Sequence, residues 1–444
     1  MKEVIAKAMR LSVPSKKIQH DKTNVAKIAF NLVSKQVTKY SQITGLEFGG
    51  SYVKGTWLPK KADIDIFVKF EKSTSDKKFV EISKKIGFDS MKKFKPYVRY
   101  SEHPYVEATI KNTKVNVVPC YDVKKGQWQS AADRSPFHTK FMLESLTGVM
   151  KDEVRLLKNF LSCNKIYGSE IAKQGISGYV AEVLVLHYGS FQEVVKSIAK
   201  LKKNYVIGKP TKKFDTSIII IDPIDSNRNL GAAISNENLG KFILASRAFI
   251  KKPSMSFFKI KQNQQIFKKN LENSIVIKFN YKQRSPDIIW GQVKRAASSL
   301  AVQLEIEGFQ VLRHSGIADE KNEVFLIFLL QSLKIEDNFL RDGPDYFFET
   351  ESETFITKNS KNSMMWIGSN RKILSLQKRR QNDVSLFLRD LLKNHLNKSG
   401  IPKGLKADIK KGFKVMPAKK TAGKSIKEAI TELVSTDATI LSFN

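Results

Sequence analysis

Apolar and polar residues alternate most clearly over 63–68, where Ile64, Ile66 and Val68 interleave with Asp63, Asp65 and Phe67. A period of two predicts a strand that carries Asp63 and Asp65 on one face, about 7 Å apart along its length. Upstream, Ile5, Ala8 and Met9 predict a short helix over 2–10, ended by Pro14. From Ser15 to about Tyr40, Ile18, Val25, Ile28, Ala29, Leu32 and Val37 recur at helical spacing. Leu46–Phe48 then reads as a strand entering a run of small residues, Gly49, Gly50, Ser51, Gly55 and Thr56. Downstream, Phe79, Ile82 and Ile86 mark a helix over 77–86, and strands are expected at 97–100, 105–110 and 115–121. Lys111–Lys114 supplies the hairpin turn between the last two. With Asn112-Thr113 as the turn, Thr109 faces Asn116, and Glu107 lies diagonal to Asn116 on the same face.

The rhythm then changes. Residues 131–148 read as a linker and helix start, followed by two helices within 154–191. Val154, Leu157 and Leu161 face inward on the first, with Lys158 at the flank of that stripe; Val180, Val183, Leu184 and Leu186 line the second. Ser217–Ile221 is a buried strand, and a helix follows over 236–249. Beyond about 255 a strand at 274–281, a helix from Pro286, and strands at 309–313 and 324–331 predict a small sheet covered by a helix. From about 352 onward only weak helical patterning remains, among many lysines and arginines. These patterns give an α+β multidomain chain divided at 1–148, 149–255 and 256–444.

Composition adds one fact to this picture. Formal net charge is +34, from 77 basic and 43 acidic residues spread along the chain. A surface that positive favours a polyanion, most simply nucleic acid, although a lysine-rich proteome would raise the charge as well. Cys120 and Cys163 make neither a disulfide framework nor a zinc site. No apolar run reaches the roughly 18 residues of a membrane span, and the first residues lack the apolar core of a signal peptide. A cytoplasmic protein without membrane contact is expected.

The chemistry lies in residues 49–70. Two neighbouring carboxylates repel and call for a cation between them, and Mg²⁺ matches their oxygen donors. Glycines ahead of them let backbone N–H groups approach a phosphate. A phosphate cradle followed by a carboxylate pair suits metal-assisted nucleotidyl transfer. Gly50-Ser51 and Asp63-Ile64-Asp65, in this order and spacing, resemble the signature of the nucleotidyltransferase superfamily that includes DNA polymerase β and the poly(A) polymerases. That resemblance implies a polymerase β-type head and a third metal-binding carboxylate on a later strand. Val115-Asn116-Val117-Val118-Pro119 occupies the matching segment, so Asn116 stands where an aspartate is expected. An amide is a poor general base. The site is then inactive, or works with two carboxylates, or borrows a neighbour such as Glu107.

Longer segments narrow the resemblance. VNVVPCY, DRSPFHTKF, VRLLKNF, IYGSEI, GISGYVAEVL and HYGSF, then Asp222 to Ala233, are similar in order and spacing to the archaeal class I CCA-adding enzymes. The resemblance implies a catalytic head, a helical central domain, and a C-terminal α+β body with a basic tail. It also implies addition of C, C and A to the tRNA 3′ end from CTP and ATP, with Mg²⁺ held at Asp63, Asp65 and Asn116. Gly50, Ser51, Lys54, Ser135, His138, Lys158 and Tyr167 would bind the incoming nucleotide, and Arg228 would read its base. A poly(A)-type polymerase and a catalytically impaired binding relative are the alternatives, and a homodimer is left open.

Overall fold

The computed structural model describes residues 1–59, 62–100, 103–259, 266–319, 322–361 and 363–443. They form two compact units, one of Met1–Asn263 with Ser285–Asp287 and Thr436–Asn444, the other of Gln264–Arg284 with Ile288–Ser435. Among the described residues no helix is long and apolar enough to cross a membrane.

The first unit opens with helices α1 (Lys2–Ser12) and α2 (Lys16–Val37), separated at Pro14, with the Ser15 hydroxyl capping α2 by accepting from Ile18 N–H. Strand β1 (Ile43–Gly49) runs into the short helix α3 (Gly50–Lys54). Next come β2 (Ile64–Glu71), α4 (Asp76–Met91), β3 (Tyr97–Tyr100), β4 (Pro104–Ile110) and β5 (Thr113–Asp122). The sheet order is β1-β2-β5-β4-β3, with β2 and β5 parallel and every other pair antiparallel. Period-two alternation divides its faces. Ile64, Ile66, Val68 and Phe70 pack with Val115 and Val117 against Val25, Ala29 and Val33 of α2 and Phe79 and Ile86 of α4. The opposite face is left to Asp65, Asn116 and their neighbours.

Lys111 and Asn112, both with positive φ, make the two-residue turn of the β4–β5 hairpin, and Ile110 pairs with Thr113. The expected turn was one residue later. Two consecutive residues with φ > 0 fit the twist of a tight hairpin, and an asparagine tolerates that conformation better than a β-branched threonine. Glu107 is therefore directly opposite Asn116 rather than diagonal to it.

A helical layer follows: α5 (Arg134–Ser145), α6 (Gly148–Cys163), α7 (Gly178–Tyr188) and α8 (Phe191–Ala199). A small sheet of β6 (Tyr205–Ile207), β7 (Ile218–Asp222) and β8 (Asp225–Asn229) precedes α9 (Asn236–Lys251). Thr147, Ser177, Ser190 and Ser235 cap α6, α7, α8 and α9 with their hydroxyls. Each such cap contributes about 1 kcal/mol and fixes where its helix starts. Phe160, Phe191, Phe249, Phe257 and Phe258 form the centre of this layer's core.

In the second unit, α10 (Lys268–Glu272) leads into β9 (Ser274–Asn280), α11 (Pro286–Glu307), β10 (Val311–Ala318) and β11 (Glu323–Leu330). This is the expected small sheet covered by a helix. Then come β12 (Asn338–Asp345), α12 (Glu349–Asn359), β13 (Met364–Ile367), β14 (Lys372–Lys378), α13 (Val384–Asn394), α14 (Lys403–Ile409), β15 (Phe413–Pro417) and α15 (Lys424–Val434). The main sheet, β10-β11-β9-β15, is covered on both faces. Val293 and Leu300 of α11 pack on Ile275 and Ile277, while Ile426 and Ile430 of α15 share a core with Val276 and Ile327. Burial on both sides explains why β11 reads as the continuous apolar run VFLIFLL. The second sheet, β12-β14-β13, includes two strands where only weak helical patterning is legible in the sequence.

Candidate active site

One row of residues crosses the whole five-stranded sheet. Gly49 pairs with Asp65, Asp65 with Asn116, Asn116 with Glu107, and Glu107 with Tyr97. Asn116 thus lies beside Asp65 on the adjoining parallel strand. Its Nδ2 donates to Asp65 Oδ1 at 2.8 Å, while its Oδ1 is buried without a hydrogen-bond donor. Burial pushes the Asp65 carboxyl above its ordinary range; the Asn116 bond and Lys54 oppose this, and Asp63 adds to it. Asp63 lies just ahead of β2 and is exposed as a residue. Its carboxyl is also pushed up, first by burial and then by Glu107, against Lys114 and Lys22.

Glycine is required next to this pair. Gly50 has φ of 66°, and a Cβ there would stand 1.9 Å from Asp65 Oδ2. The backbone of the glycine turn therefore lies directly against the carboxylate.

The cleft above Asp65 has a volume of about 480 Å³. Gly50, Ser51 and Lys54 line it from the turn and α3, and Asn116 from β5. Ser135 and His138 of α5, Lys158 of α6 and Tyr167 complete the expected set around it. Two expected residues are not among its lining: Asp63, at the strand start, and Arg228, on β8. Arg228 is tied to the wall through Asp222, whose Oδ2 accepts from Arg228 Nη1 at 3.2 Å and lies 2.9 Å from His138 Nε2. Asp222 Oδ1 accepts from the Tyr179 hydroxyl at 3.0 Å, and the Tyr179 ring lies 3.9 Å from the His138 ring, centroid to centroid. Burial holds His138 below its usual range, against the pull of Asp222.

Lys158 departs from its expected place. It is a buried residue rather than a flanking one, and its Nζ donates to Thr56 O (3.1 Å), Thr56 Oγ1 (3.0 Å) and Glu182 Oε1 (2.9 Å). Those bonds use all three protons of an ammonium group. Lys54 is buried too, with Nζ 2.5 Å from Glu182 Oε2 and 5.6 Å from the Tyr179 ring centre. Glu107 is not on the surface either: it is 4 % exposed, bonded to the Tyr97 hydroxyl and flanked by Lys114 Nζ at 3.4 Å and Arg99 Nε at 3.5 Å.

The residues that sequence reasoning passed over are the buried acids. Glu182 is an acid inside the apolar run VAEVLVL, and Asp222 ends the run IIII. A carboxylate in such a setting needs cationic or hydrogen-bonding partners, which was the available signal. Asp133 is a third: fully buried, it accepts from the backbone N–H groups of Tyr121, Gln129 and Ser130. It thereby fixes the loop that leads into α5.

A hard divalent cation fits the donors present. Burial keeps both carboxylates above their ordinary range in spite of Lys54, Lys114 and Lys22, and the buried Asn116 Oδ1 is an unused oxygen donor. Among the described residues no group of three His, Cys, Asp or Glu side chains is placed to hold a metal. Asp63 and Asp65 are thus the anionic ligands available, with a neutral amide where a third acid would stand.

Glycine turn, carboxylate strand and flanking helices together define a nucleotidyltransferase. Residues 31–145 match the family described as nucleotidyltransferase domain, and enzymes of this class generally use a divalent metal. Residues 152–259 match tRNA nucleotidyltransferase, second domain, and 272–418 match CCA-adding enzyme, C-terminal domain. The CCA-adding enzyme of Sulfurisphaera tokodaii is 36% identical over 350 residues, covering 78% of this chain and 83% of that protein. That of Saccharolobus shibatae is 34% identical over 370 residues (82% and 87%), and that of Pyrobaculum islandicum 32% over 403 (90% and 94%). The chain belongs to the CCA-adding enzyme family.

Proposed function

We propose that this protein adds C, C and A to the 3′ end of tRNA, without a nucleic-acid template, from CTP and ATP with release of pyrophosphate. The observation that carries the reading is the placement of Asp65 and the glycine turn at the floor of a nucleotide-sized cleft, in a chain whose relatives are named CCA-adding enzymes over most of their length. Those names favour CCA addition over a poly(A)-type polymerase or a binding-only relative.

Asp63 and Asp65 would hold Mg²⁺, which would draw the triphosphate and the tRNA 3′-hydroxyl together and offset the charge that develops on the transferred phosphoryl group. The protein's own contribution is placement. Gly50 and Ser51 bring backbone N–H groups to the phosphates. Lys54 has N–H groups free of Glu182 to meet them. Tyr167 offers a flat face to base or ribose. Asp222 holds the Arg228 guanidinium and the His138 ring in fixed relation, so that Arg228 presents a set fork to the base edge. Asn116 orients the Asp65 carboxylate but takes no proton. The basic chain would hold tRNA through its phosphates and its shape, in the cytoplasm.

The test is extension of tRNA lacking its last three residues, with nucleotides supplied in turn. CTP alone should add two residues, and CTP with ATP three. A long homopolymer from ATP alone would contradict the reading.

A further inference from the structure

Outside the carboxylate pair, Glu182 is a buried acid of the cleft that meets two lysines. It sits on α7, fully buried, in a helix whose other inward residues are apolar. Oε2 meets Lys54 Nζ at 2.5 Å; Oε1 meets Lys158 Nζ at 2.9 Å and accepts from Thr56 Oγ1 at 2.5 Å. Thr56 is itself fully buried. Three segments far apart in sequence, the α3 turn, α6 and α7, therefore converge on one carboxylate in the cleft floor.

Two ammonium groups to one carboxylate leave a surplus positive charge there. Burying an ammonium without a counter-ion is costly, and Glu182 supplies the counter-charge that both lysines share. Burial does hold Lys54 below its ordinary range, with Glu182 opposing it.

We propose that Glu182 is a positioning residue for nucleotide binding: it holds Lys54 and Lys158 in place at the cleft floor where the triphosphate lies. This rests on the proposed function. Glu182 acts through the lysines and touches no reacting atom. The small residue Gly178 belongs to the same arrangement, since a Cβ there would stand 2.9 Å from the Tyr167 hydroxyl and 3.4 Å from Lys158 Nζ.

The test compares wild type, Glu182→Gln, Glu182→Asp, and the double variant Lys158→Met/Glu182→Gln. For each, KM for ATP and for CTP, KM for tRNA, kcat and the melting temperature are measured well below the lowest melting point. Glu182→Gln is expected to raise both nucleotide KM values about tenfold or more and leave KM for tRNA within about twofold, the pattern of lost nucleotide binding. Glu182→Asp, which keeps the charge but withdraws it, should show a smaller rise in the same direction. The double variant leaves one fewer buried ammonium group without a counter-charge, so it should melt above Glu182→Gln and still show raised nucleotide KM. It serves as the folded reference should the single variant not fold. Nucleotide KM within about twofold of wild type in Glu182→Gln and in the double variant would overturn the proposal, leaving Glu182 a packing residue. Should wild type extend no tRNA, the proposed function fails. Equilibrium binding of ATP to the same four proteins then tests the cluster on its own, with the same expected and contrary outcomes.

Discussion

Asn116 Nδ2 donates to Asp65 Oδ1 at 2.8 Å, strand to strand across the parallel β2–β5 pair. The place of a third acid is thus filled by a group that binds an existing carboxylate instead of adding a negative charge. With Asn116→Asp, two carboxylates would face each other across that gap. Without metal the variant should lose on the order of 1–3 kcal/mol, the cost of losing the bond and confronting like charges. Mg²⁺ should then raise its melting temperature more than it raises that of wild type. Thermal melts with and without MgCl₂ measure both.

Gly50→Ala brings a methyl group against Asp65 Oδ2 and forces a non-glycine residue to φ of 66°. The expected loss is more than about 1 kcal/mol from the backbone alone. Extension activity should fall further than stability explains, because the carboxylate must move. A melt paired with kcat at a temperature where the variant is fully folded separates the two effects.

The carboxylate strand and the glycine turn were legible in the sequence because each follows a local rule: alternation for one, small residues before it for the other. The site's second tier was not. Glu182 and Asp222 find their partners 128 and 84 residues away, at Lys54 and His138 respectively, so no local pattern announces them. The Glu107–Asn116 pairing depended on one turn residue, and shifting the turn by one changed a diagonal into a direct pair. Strands β13 and β14 escaped for another reason. Leu376 and Met364, paired across them, are both exposed, so the sheet shows no clean inward and outward alternation.

Asp222→Asn would keep the shape of the acid and remove its charge. Arg228 and His138 would lose their common anchor while Asp63 and Asp65 stay untouched. Discrimination between CTP and ATP should weaken by about 1–3 kcal/mol, the scale of a planar charged contact to a base edge. Competition between the two nucleotides at each addition step provides the readout; unchanged selectivity would separate Arg228 from base choice.

Burial alone would raise the Glu182 carboxyl, but Lys158 and Lys54, with the hydrogen bonds from Lys54 and Thr56, outweigh it and hold it at about 2. Its unfolded value is about 4.3, so the unfolded chain takes up the proton first as pH falls. The stability it contributes is complete above about pH 4.5 and is lost as pH drops toward about 2. Stability of wild type should therefore fall through that window more steeply than that of Glu182→Gln, measured by denaturant midpoints at stepped pH.

The Asp63–Asp65 site, with Asn116 beside it, is expected to perform CCA addition. Its most direct test is the 3′-end sequence of tRNA lacking CCA after incubation with purified wild-type protein, CTP, ATP and Mg²⁺. Growth by C, C and A and then arrest is the expected result. Failure of wild type to extend any tRNA, with extension restored in Asn116→Asp, would contradict it.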